Sequence, residues 1–452
     1  MSKDKPHQLI FRMGSHSEKE YLTKTGRFLD GLIVGANLLE ATPGATMSLL
    51  LKLAGEKYGV RYYVDPMSYV FGVYTDPKSG ERREDLDWIK SNRKVKDKTV
   101  WGIKRSYTAL AERYGGPFEA AIERGRAVDV SDFRNATNGK KICQSVIDYQ
   151  LTRIRLELIK DKELVEFAED APDPAAVFAP YFYIEPGNKQ ALSELAIKTA
   201  AWSVEVAPKN IPVHAVICAD RSALADSTLT DRLVTELPKT GISGVWLWFS
   251  RFFEADADVA DLKAFRRLVE NLSGHLLVYN MHGGFFSLAL EKLTGVSHGI
   301  GYGEQKDVHP VIGQSTPSVR YYLPDIRKRL GVPKIELCFR ALGIETPKDF
   351  FDKVCDCVIC KGVIEKISDF SAFGEMRYSR VESQRMAQTP AAAKRCRYHF
   401  ILNRIRERDW IRSATKNEVI SAIKDAERKW NLVPMTSEMT HLAKWREVLS
   451  AE

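Results

Sequence analysis

The chain has 452 residues, of which 44% are hydrophobic and 28% are charged, and its formal net charge is +8 at pH 7. This length and composition predict a large globular protein, either one barrel with appendages or two to three domains. No apolar run is long enough to span a bilayer, and residues 1–12 lack the hydrophobic core of a signal peptide. We therefore expect no membrane partner and a cytoplasmic location.

Apolar runs typical of buried parallel strands alternate with helix-like stretches over most of the first two-thirds of the chain. The predicted strands are residues 31–37, 61–66, 177–185, 213–220, 244–251, 275–280, 297–303 and 319–324. The predicted helices between them are residues 45–57, 190–206, 229–237, 261–272 and 285–293. This alternation predicts a (β/α)8 barrel over residues 1–340, with a doubly wound open sheet as the alternative.

A long interruption separates the second and third predicted strands. Residues 74–170 are rich in charge, and apolar side chains recur at helical spacing at Ile147, Leu151, Ile154 and Leu158. We interpret this segment as a helical insertion on the rim of the barrel. Residues 341–452 are also helical in pattern and form the predicted zinc-binding region.

Three cysteines lie within six residues, at Cys355, Cys357 and Cys360, and His399 follows in a basic, helix-like stretch. An odd total of seven cysteines with this clustering favours metal ligation in a reducing compartment over disulfides. Three thiolates and one imidazole complete a tetrahedral zinc shell, which leaves no open position for water. The zinc is therefore expected to be structural, and Cys396, one turn before His399, is the alternative fourth ligand.

Two segments concentrate positive charge. The first cluster is Lys90, Arg93, Lys94, Lys96, Lys98, Lys104 and Arg105. The second cluster spans residues 377–412, where Tyr378, Tyr398, Phe400 and Trp410 are interleaved with the cations. Within it, Arg397, Arg404 and Arg408 recur at helical spacing, and we expect this arginine stripe to dock a sugar-phosphate backbone.

Polar side chains follow several of the predicted strands, where a barrel places its reacting groups. Asp65 is the strongest catalytic candidate because it ends an apolar strand and precedes Pro66. Asp220 is a second candidate, although it could simply pair with Arg221. The predicted substrate-binding residues are Tyr183, Glu185, Ser250, Asn280, His282 and Gly283.

A predicted barrel followed by Cys-x-Cys-x2-Cys and a histidine on a basic helix resembles the tRNA-guanine transglycosylase superfamily. Those proteins are zinc-bearing barrels that exchange a guanine in nucleic acid for a 7-deazaguanine. Residues 63–71 look like the family's Asp-Ser-Gly-Gly-Phe-Gln region, which places Asp65 at a catalytic aspartate. Residues 182–186 fall where the family recognises the base with an aspartate, and here Glu185 carries that carboxylate.

The chain also departs from the family pattern. Where the family's seventh strand opens with a nucleophilic aspartate, residues 297–304 contain no aspartate, and Glu304 is the nearest carboxylate. The glycines after Asp65 are missing, and Trp246 to Ser250 replace a glycine-rich base-binding strand. The chain is therefore similar to a remote branch, the transglycosylase-like enzymes that place 7-deazaguanines in DNA.

Base exchange needs one carboxylate to trap or stabilise the sugar cation and a second group to protonate the leaving guanine. We expect Asp65 to act with Glu304, Asp220 or Glu185. The expected function is guanine-for-7-deazaguanine exchange in DNA, ahead of tRNA, with structural zinc as cofactor. The alternatives are a catalytically inactive docking relative and a barrel glycosidase acting on nucleosides, and the sequence leaves a homodimer or partner proteins open.

Overall fold

A computed structural model describes residues 6–76, 79–95, 98–160, 162–163, 165–301, 307–308, 319–378, 386–434 and 436–451. The fold is mixed α/β and is built around eight parallel strands. These strands are β1 (Gln8–Met13), β2 (Gly31–Gly35), β3 (Arg61–Asp65), β4 (Val177–Phe178 and Tyr183–Ile184), β5 (Val213–Asp220), β6 (Gly244–Ser250), β7 (Leu277–Asn280) and β8 (Gly295–Gly299). The two short segments of β4 count as one strand because both pair with β5.

The strands form a nearly closed barrel. Hydrogen-bonded neighbours follow the order β3-β2-β1-β8-β7-β6-β5-β4, so β1 lies between β2 and β8. At the remaining seam, the backbone N–H of Ala175 donates to the carbonyl of Tyr62 at 2.8 Å. The predicted barrel architecture is therefore confirmed at the level of a parallel eight-stranded barrel, and the open doubly wound sheet is not observed.

The sequence prediction misplaced the two ends of the barrel. The first strand is β1, which is not among the predicted strands. Its apolar run is short, and Arg12 interrupts it near the carboxyl end. The predicted eighth strand, residues 319–324, lies outside the barrel. Its central part, Tyr321–Leu323, pairs antiparallel with Lys328–Leu330 as a small hairpin.

Helices surround the barrel on the outside of the sheet. Up to β8, the described α-helices of six residues or more are Lys19–Thr25, Ala36–Ala41, Pro43–Ala54, Arg105–Tyr114, Gly116–Arg124, Ala136–Ile159, Lys189–Val206, Ser227–Glu236 and Val259–Ser273. After β7 there is only a single turn, Phe285–Leu288, where residues 285–293 were predicted to be helical. These helices bury the outward face of the strands, as a parallel sheet requires.

Aromatic side chains from five consecutive strands fill the barrel interior. Trp246 stacks on Tyr279 with ring centroids 4.3 Å apart, and Tyr63 and Phe178 meet the edges of the same indole at 5.3 and 5.5 Å. The Trp246 indole N–H donates to Nδ1 of His214 at 3.1 Å, which satisfies a buried donor. The interior is thus a packed core, and any barrel chemistry belongs at the mouth, formed by the carboxyl ends of the strands.

The segment between β3 and β4 is more varied than the helical insertion that the sequence predicted. It contains the helices Arg105–Tyr114, Gly116–Arg124 and Ala136–Ile159, but also two antiparallel hairpins. The smaller hairpin pairs Tyr74–Thr75 with Arg82–Arg83. The larger one, called the mouth hairpin below, pairs Lys90–Val95 with Lys98–Ile103, and its two strands hold four of the seven cations of the first basic cluster, Lys90, Arg93, Lys94 and Lys98.

The C-terminal region packs against the barrel. Its helices are Val332–Phe339, Pro347–Lys353, Val358–Lys361, Pro390–Ser413, Lys416–Trp430 and Thr440–Ser450, and a hairpin pairs Met376–Tyr378 with Met386–Gln388. Trp445 donates its indole N–H to the Glu254 carbonyl after β6 at 2.9 Å, which ties the last of these helices to the barrel. Across the described part of the chain, no helix combines the length and apolar character that crossing a membrane requires.

Candidate metal centre and barrel mouth

The four predicted metal ligands converge in the C-terminal region. The Sγ atoms of Cys355, Cys357 and Cys360 lie 3.8, 3.4 and 3.4 Å from Nδ1 of His399, and all four side chains are buried. A tetrahedral zinc with bonds of about 2.3 Å to sulfur and about 2.0 Å to nitrogen places such atoms about 3.6 Å apart. The donor set therefore fits a zinc-sized ion, with all four positions filled by protein.

Neighbouring groups hold these ligands in a metal-binding orientation. Nε2 of His399 donates to the Tyr322 carbonyl at 2.6 Å, which leaves Nδ1 as the lone-pair nitrogen facing the cysteines. The Tyr321 ring stacks on the imidazole at 4.0 Å, and its hydroxyl lies 3.2 Å from Cys360 Sγ. Such a buried shell, with the outer nitrogen already satisfied, suits a structural metal.

Local sequence explains why the ligands meet. Cys357 caps the short helix Val358–Lys361, and its sulfur accepts from the Cys360 N–H at 3.4 Å. The helix Pro390–Ser413, called the basic helix below, begins with a proline and is capped by Thr389. That start sets the register that turns His399 toward the cysteine turn.

Cys396 is not part of the cluster. Its thiol donates to the Phe373 carbonyl at 3.3 Å, and burial raises its pKa to about 12. A protonated, hydrogen-bonded thiol is a poor metal ligand. Of the two fourth ligands that the sequence left open, His399 is the one that the structure groups with the three cysteines.

Asp65 lies at the barrel mouth, but it is fully enclosed. Its Oδ2 accepts from Arg12 Nη1 at 3.0 Å, while its Oδ1 accepts from the Tyr181 hydroxyl at 2.8 Å and the Met67 N–H at 2.9 Å. Burial lowers the pKa of Arg12, but Asp65 outweighs it and the net shift is upward, so Arg12 keeps its charge. Burial raises the pKa of Tyr181, so its hydroxyl stays a donor.

Aromatic rings cover this ion pair. Tyr69 stacks on Tyr181 at 5.5 Å and meets the edge of Trp248 at 5.0 Å, and Trp248 contacts the His282 ring at 4.7 Å. Asp65 has no exposed surface in this arrangement. A substrate reaches it only if these rings move, so Asp65 is a satisfied buried carboxylate in this conformation.

Asp220 ends β5 and has partners other than the one considered from sequence. It accepts from the Tyr183 hydroxyl at 3.2 Å, from the Ser222 N–H at 2.9 Å, and from Arg251. Burial raises its pKa, but the hydrogen bonds from Ser222 and Arg251 outweigh this and lower it below the usual value. Arg221 turns away and pairs with Asp258 and Asp261, so the local Asp220–Arg221 pair, considered as the alternative to a catalytic role, does not form.

The other residues predicted from strand ends have separate hydrogen-bond partners. Glu185 is buried after β4 and accepts from Arg82 at 3.3 Å. Ser250 donates to Asp307 at 2.6 Å and thereby anchors residues 307–308 over β6. Glu304, the predicted partner of Asp65, lies outside the described residues.

At the paired glycines after β7, Gly283 and Gly284, a carboxylate of the protein itself accepts a backbone hydrogen bond. Glu254 Oε1 accepts from the Gly284 N–H at 2.8 Å, from the Ser287 hydroxyl at 2.5 Å and from Asn280 at 3.4 Å. A Cβ atom on Gly283 would meet the Val296 side chain at 2.8 Å, so this glycine is required for close packing. Sequence reasoning missed Glu254, which lies four residues after the end of β6. Its role depends on hydrogen bonds to the loop that follows β7, and the sequence does not show these.

The predicted arginine stripe is not an exposed face. Arg404 and Arg408 are buried, and they pair with Glu407 and Asp30 respectively. Arg397 is half-buried and donates to the Tyr21 hydroxyl at 3.4 Å. Arg397 and Arg408 attach the basic helix to the barrel, while Arg404 pairs with Glu407 within the helix, so the predicted backbone-docking surface on this helix is wrong.

No protein-family model matches the sequence, and no curated protein matches it either. Fold and site alone define the class: a mixed α/β protein with a nearly closed parallel barrel and a buried Cys3His set able to hold a metal ion.

Proposed function

We propose that this protein exchanges a guanine in nucleic acid for a 7-deazaguanine, with DNA as the favoured substrate over tRNA. The observation that carries the proposal is the closed Cys3His set placed directly after a parallel barrel. Its pattern of Cys355, Cys357, Cys360 and His399 is the one on which the resemblance to the guanine transglycosylases rests. The metal supplies structure, and the chemistry belongs to the carboxylates of the barrel mouth.

The exchange requires two steps at the sugar. A carboxylate oxygen attacks C1′ as the bond to guanine N9 breaks, and an acid protonates the departing N9. The incoming base then loses its N9 proton and attacks C1′, which releases the carboxylate. Asp65 and Asp220 are the described acidic side chains that end barrel strands β3 and β5. The base must first leave the helical stack to reach either of them.

The mouth hairpin supports contact with nucleic acid. Residues 90–105 contain seven lysines and arginines and one acidic residue, Asp97. Trp101 is 50% exposed on this hairpin, and Val100 beside it is 40% exposed. Trp88 at the hairpin base stacks on Tyr74 at 4.5 Å and meets Tyr69 at 6.0 Å, so the hairpin is rooted next to Asp65. Cations that neutralise phosphates and an exposed indole suit a nucleotide strand.

One observation favours a second candidate function, a docking relative without catalysis. Asp65 is fully buried and saturated by Arg12, Tyr181 and Met67, and Asp220 is paired with Arg251. A nucleophile in these states cannot meet C1′ without rearrangement. The two candidates share nucleic-acid binding and differ in turnover.

The decisive experiment is incorporation of radiolabelled guanine into DNA and into tRNA by the metal-loaded protein. The proposal expects label in DNA, reduced at least a hundredfold by Asp65→Asn and unchanged by Asp173→Asn, a partly exposed carboxylate paired with Arg155. Mass spectrometry of nucleosides from cells with and without the protein identifies the inserted base. Tight binding without any label in either nucleic acid would establish the docking role instead.

The hairpin is tested separately by binding. Replacing Arg93, Lys94 and Lys98 with Gln should weaken binding to all sequences and reduce the salt slope by about 1 per lost phosphate contact. The matched control replaces three exposed lysines near the opposite face, Lys209, Lys239 and Lys292, with Gln. If both triple variants weaken binding equally, the hairpin contributes only through the net charge of the protein and does not contact the strand.

A further inference from the structure

A cavity of about 510 Å³ lies between the barrel and the C-terminal region. Its walls come from the segments after β6, β7 and β8, from the Tyr321–Leu323 hairpin, and from the basic helix. This volume is in the usual range for small-molecule sites. None of the sequence-predicted substrate residues lines it, so it is separate from the Asp65 and Asp220 sites at the mouth.

Arg404 offers this cavity an unused pair of donors. The side chain is 1% exposed, and its Nη1 is bound to Glu407. Its Nε and Nη2 have no hydrogen-bond partner among the described residues. These two nitrogens form one side of the guanidinium fork, which matches two oxygens of a phosphate or carboxylate. A buried arginine with a vacant fork is costly unless something accepts from it.

Glu254 supplies the complementary group. Its side chain is 3% exposed, and Oε1 is saturated by the three donors around Gly284. Oε2 has no partner in the described part of the chain, and the residue lines the same cavity as Arg404. One wall thus presents two N–H donors and another presents a carboxylate acceptor.

The rest of the lining selects among anions. Four further cations, Arg320, Arg327, Lys328 and Arg329, line the cavity, against only two further acids, Asp256 and Glu438. Lys328 pairs with both of these acids and Arg327 pairs with Glu407, so the net positive charge is smaller than the count of cations. With Arg404 and Glu254 included, the lining still holds five cations and three acids, which favours an anionic group such as a phosphate.

Phe253, Phe285, Tyr322, Phe400 and Trp445 add aromatic surface to the same lining. Flat aromatic walls accommodate a planar ring system. The ligand that satisfies all three features carries a phosphate, a hydroxyl or N–H donor, and an aromatic base.

We propose that this cavity binds a phosphorylated nucleoside, with the phosphate on the free fork of Arg404 and a hydroxyl or N–H of the nucleoside on Glu254 Oε2. The same chemistry is offered by a free mononucleotide and by one nucleotide of a strand. The inference depends on the cavity alone and stands whether or not the protein exchanges bases.

Calorimetric titration with guanosine 5′-monophosphate, inorganic phosphate and guanosine tests the assignment. Arg404→Lys keeps the charge beside Glu407 but loses the fork, and should weaken both the monophosphate and inorganic phosphate at least tenfold. Glu254→Gln keeps the shape and turns the acceptor into a donor. It should weaken the monophosphate and guanosine at least tenfold and leave inorganic phosphate unchanged. Arg428→Lys, at an exposed arginine, is the control and should change none of them.

The proposal is supported only if Arg404→Lys weakens the two phosphate-bearing ligands and Glu254→Gln weakens the two nucleoside-bearing ligands. A purely structural role of either residue would weaken all ligands alike. Absence of monophosphate binding to the intact protein at millimolar concentration would overturn the proposal and leave ordered water as the occupant. So would unchanged affinities in Glu254→Gln, which decides the matter if Arg404→Lys does not fold. A short single-stranded oligonucleotide that displaces the monophosphate identifies a strand as the source, and failure to displace it identifies the free nucleotide.

Discussion

Replacing Asp65 with Asn should destabilise the barrel as well as affect chemistry. Tyr181 and Met67 both donate to Oδ1, which an asparagine oxygen reproduces. Arg12 donates to Oδ2, and the asparagine would place an N–H₂ group 3.0 Å from that guanidinium. The substitution therefore removes one interaction, the ion pair, and leaves a buried arginine facing another donor.

The magnitude follows from burial. Breaking a buried ion pair by removing one partner costs about 3–5 kcal/mol. Arg12 keeps 15% of its side chain exposed, so some charge is screened and the lower end, about 3 kcal/mol, applies. The double variant Arg12→Met, Asp65→Asn also removes the arginine. Comparing it with Asp65→Asn alone therefore isolates the cost of leaving Arg12 without its ion-pair partner.

The assay is urea unfolding of zinc-loaded protein, followed by tryptophan fluorescence, for both single variants and the double variant. We expect Asp65→Asn to lower the free energy of unfolding by about 3 kcal/mol, and to cost under about 1 kcal/mol in the Arg12→Met background. A loss below about 0.5 kcal/mol for Asp65→Asn alone would refute the reasoning, because that is the scale of surface substitutions. Exchange activity of Asp65→Asn must be corrected for its folded fraction.

Three further outcomes are expected. His399→Ala should lose the bound zinc and destabilise the C-terminal region, whereas Cys396→Ser should keep one zinc per chain by elemental analysis, since Cys396 bonds to Phe373; retention of zinc by His399→Ala would refute the ligand set. Burial lowers the pKa of His441 to about 4, below the 6.5 of an unfolded histidine, so its contribution is full above pH 6.5 and is lost as the pH falls toward 4. Lowering the pH from 7.5 to 5 should therefore cost wild type about 2 kcal/mol more than His441→Gln in urea titrations, and parallel losses would contradict this. Arg408→Gln should lower stability by about 2 kcal/mol through the loss of its Asp30 contact and leave the salt slope of DNA binding unchanged, and a lower slope would restore the arginine stripe.

The parts of the fold predicted best from sequence depend on local pattern. The strands β2 to β7 are continuous apolar runs, and Val213–Asp220 was predicted to the residue. The cysteine cluster was recognisable because its spacing alone brings three sulfurs together. The hairpin of Tyr321–Leu323 was mistaken for a barrel strand because a short apolar run does not reveal whether its partner is parallel.

The remaining features depend on contacts between distant residues. The helical spacing of Arg404 and Arg408 was read correctly, but the spacing does not show that Arg408 is buried against the distant Asp30 or that Arg404 is paired with Glu407 on the same helix. Likewise, Asp65 looked like a free strand-end carboxylate because its partner Arg12 lies 53 residues earlier, in a strand that was not predicted. Charge patterns show where cations are, and only the packed structure shows which acids already neutralise them.

The position of β1 in the barrel has a consequence for folding during synthesis. Gln8 pairs with Gly295, so the edge of β1 that faces β8 lacks its partner until about 290 further residues have been made. At roughly 5–20 residues per second, that wait lasts roughly 15–60 s. During that time β2 can shield one edge of β1, while the other edge stays unpaired and open to other chains. Truncations that remove β8 should therefore aggregate, and barrel assembly should depend on chaperones more than the C-terminal helices do.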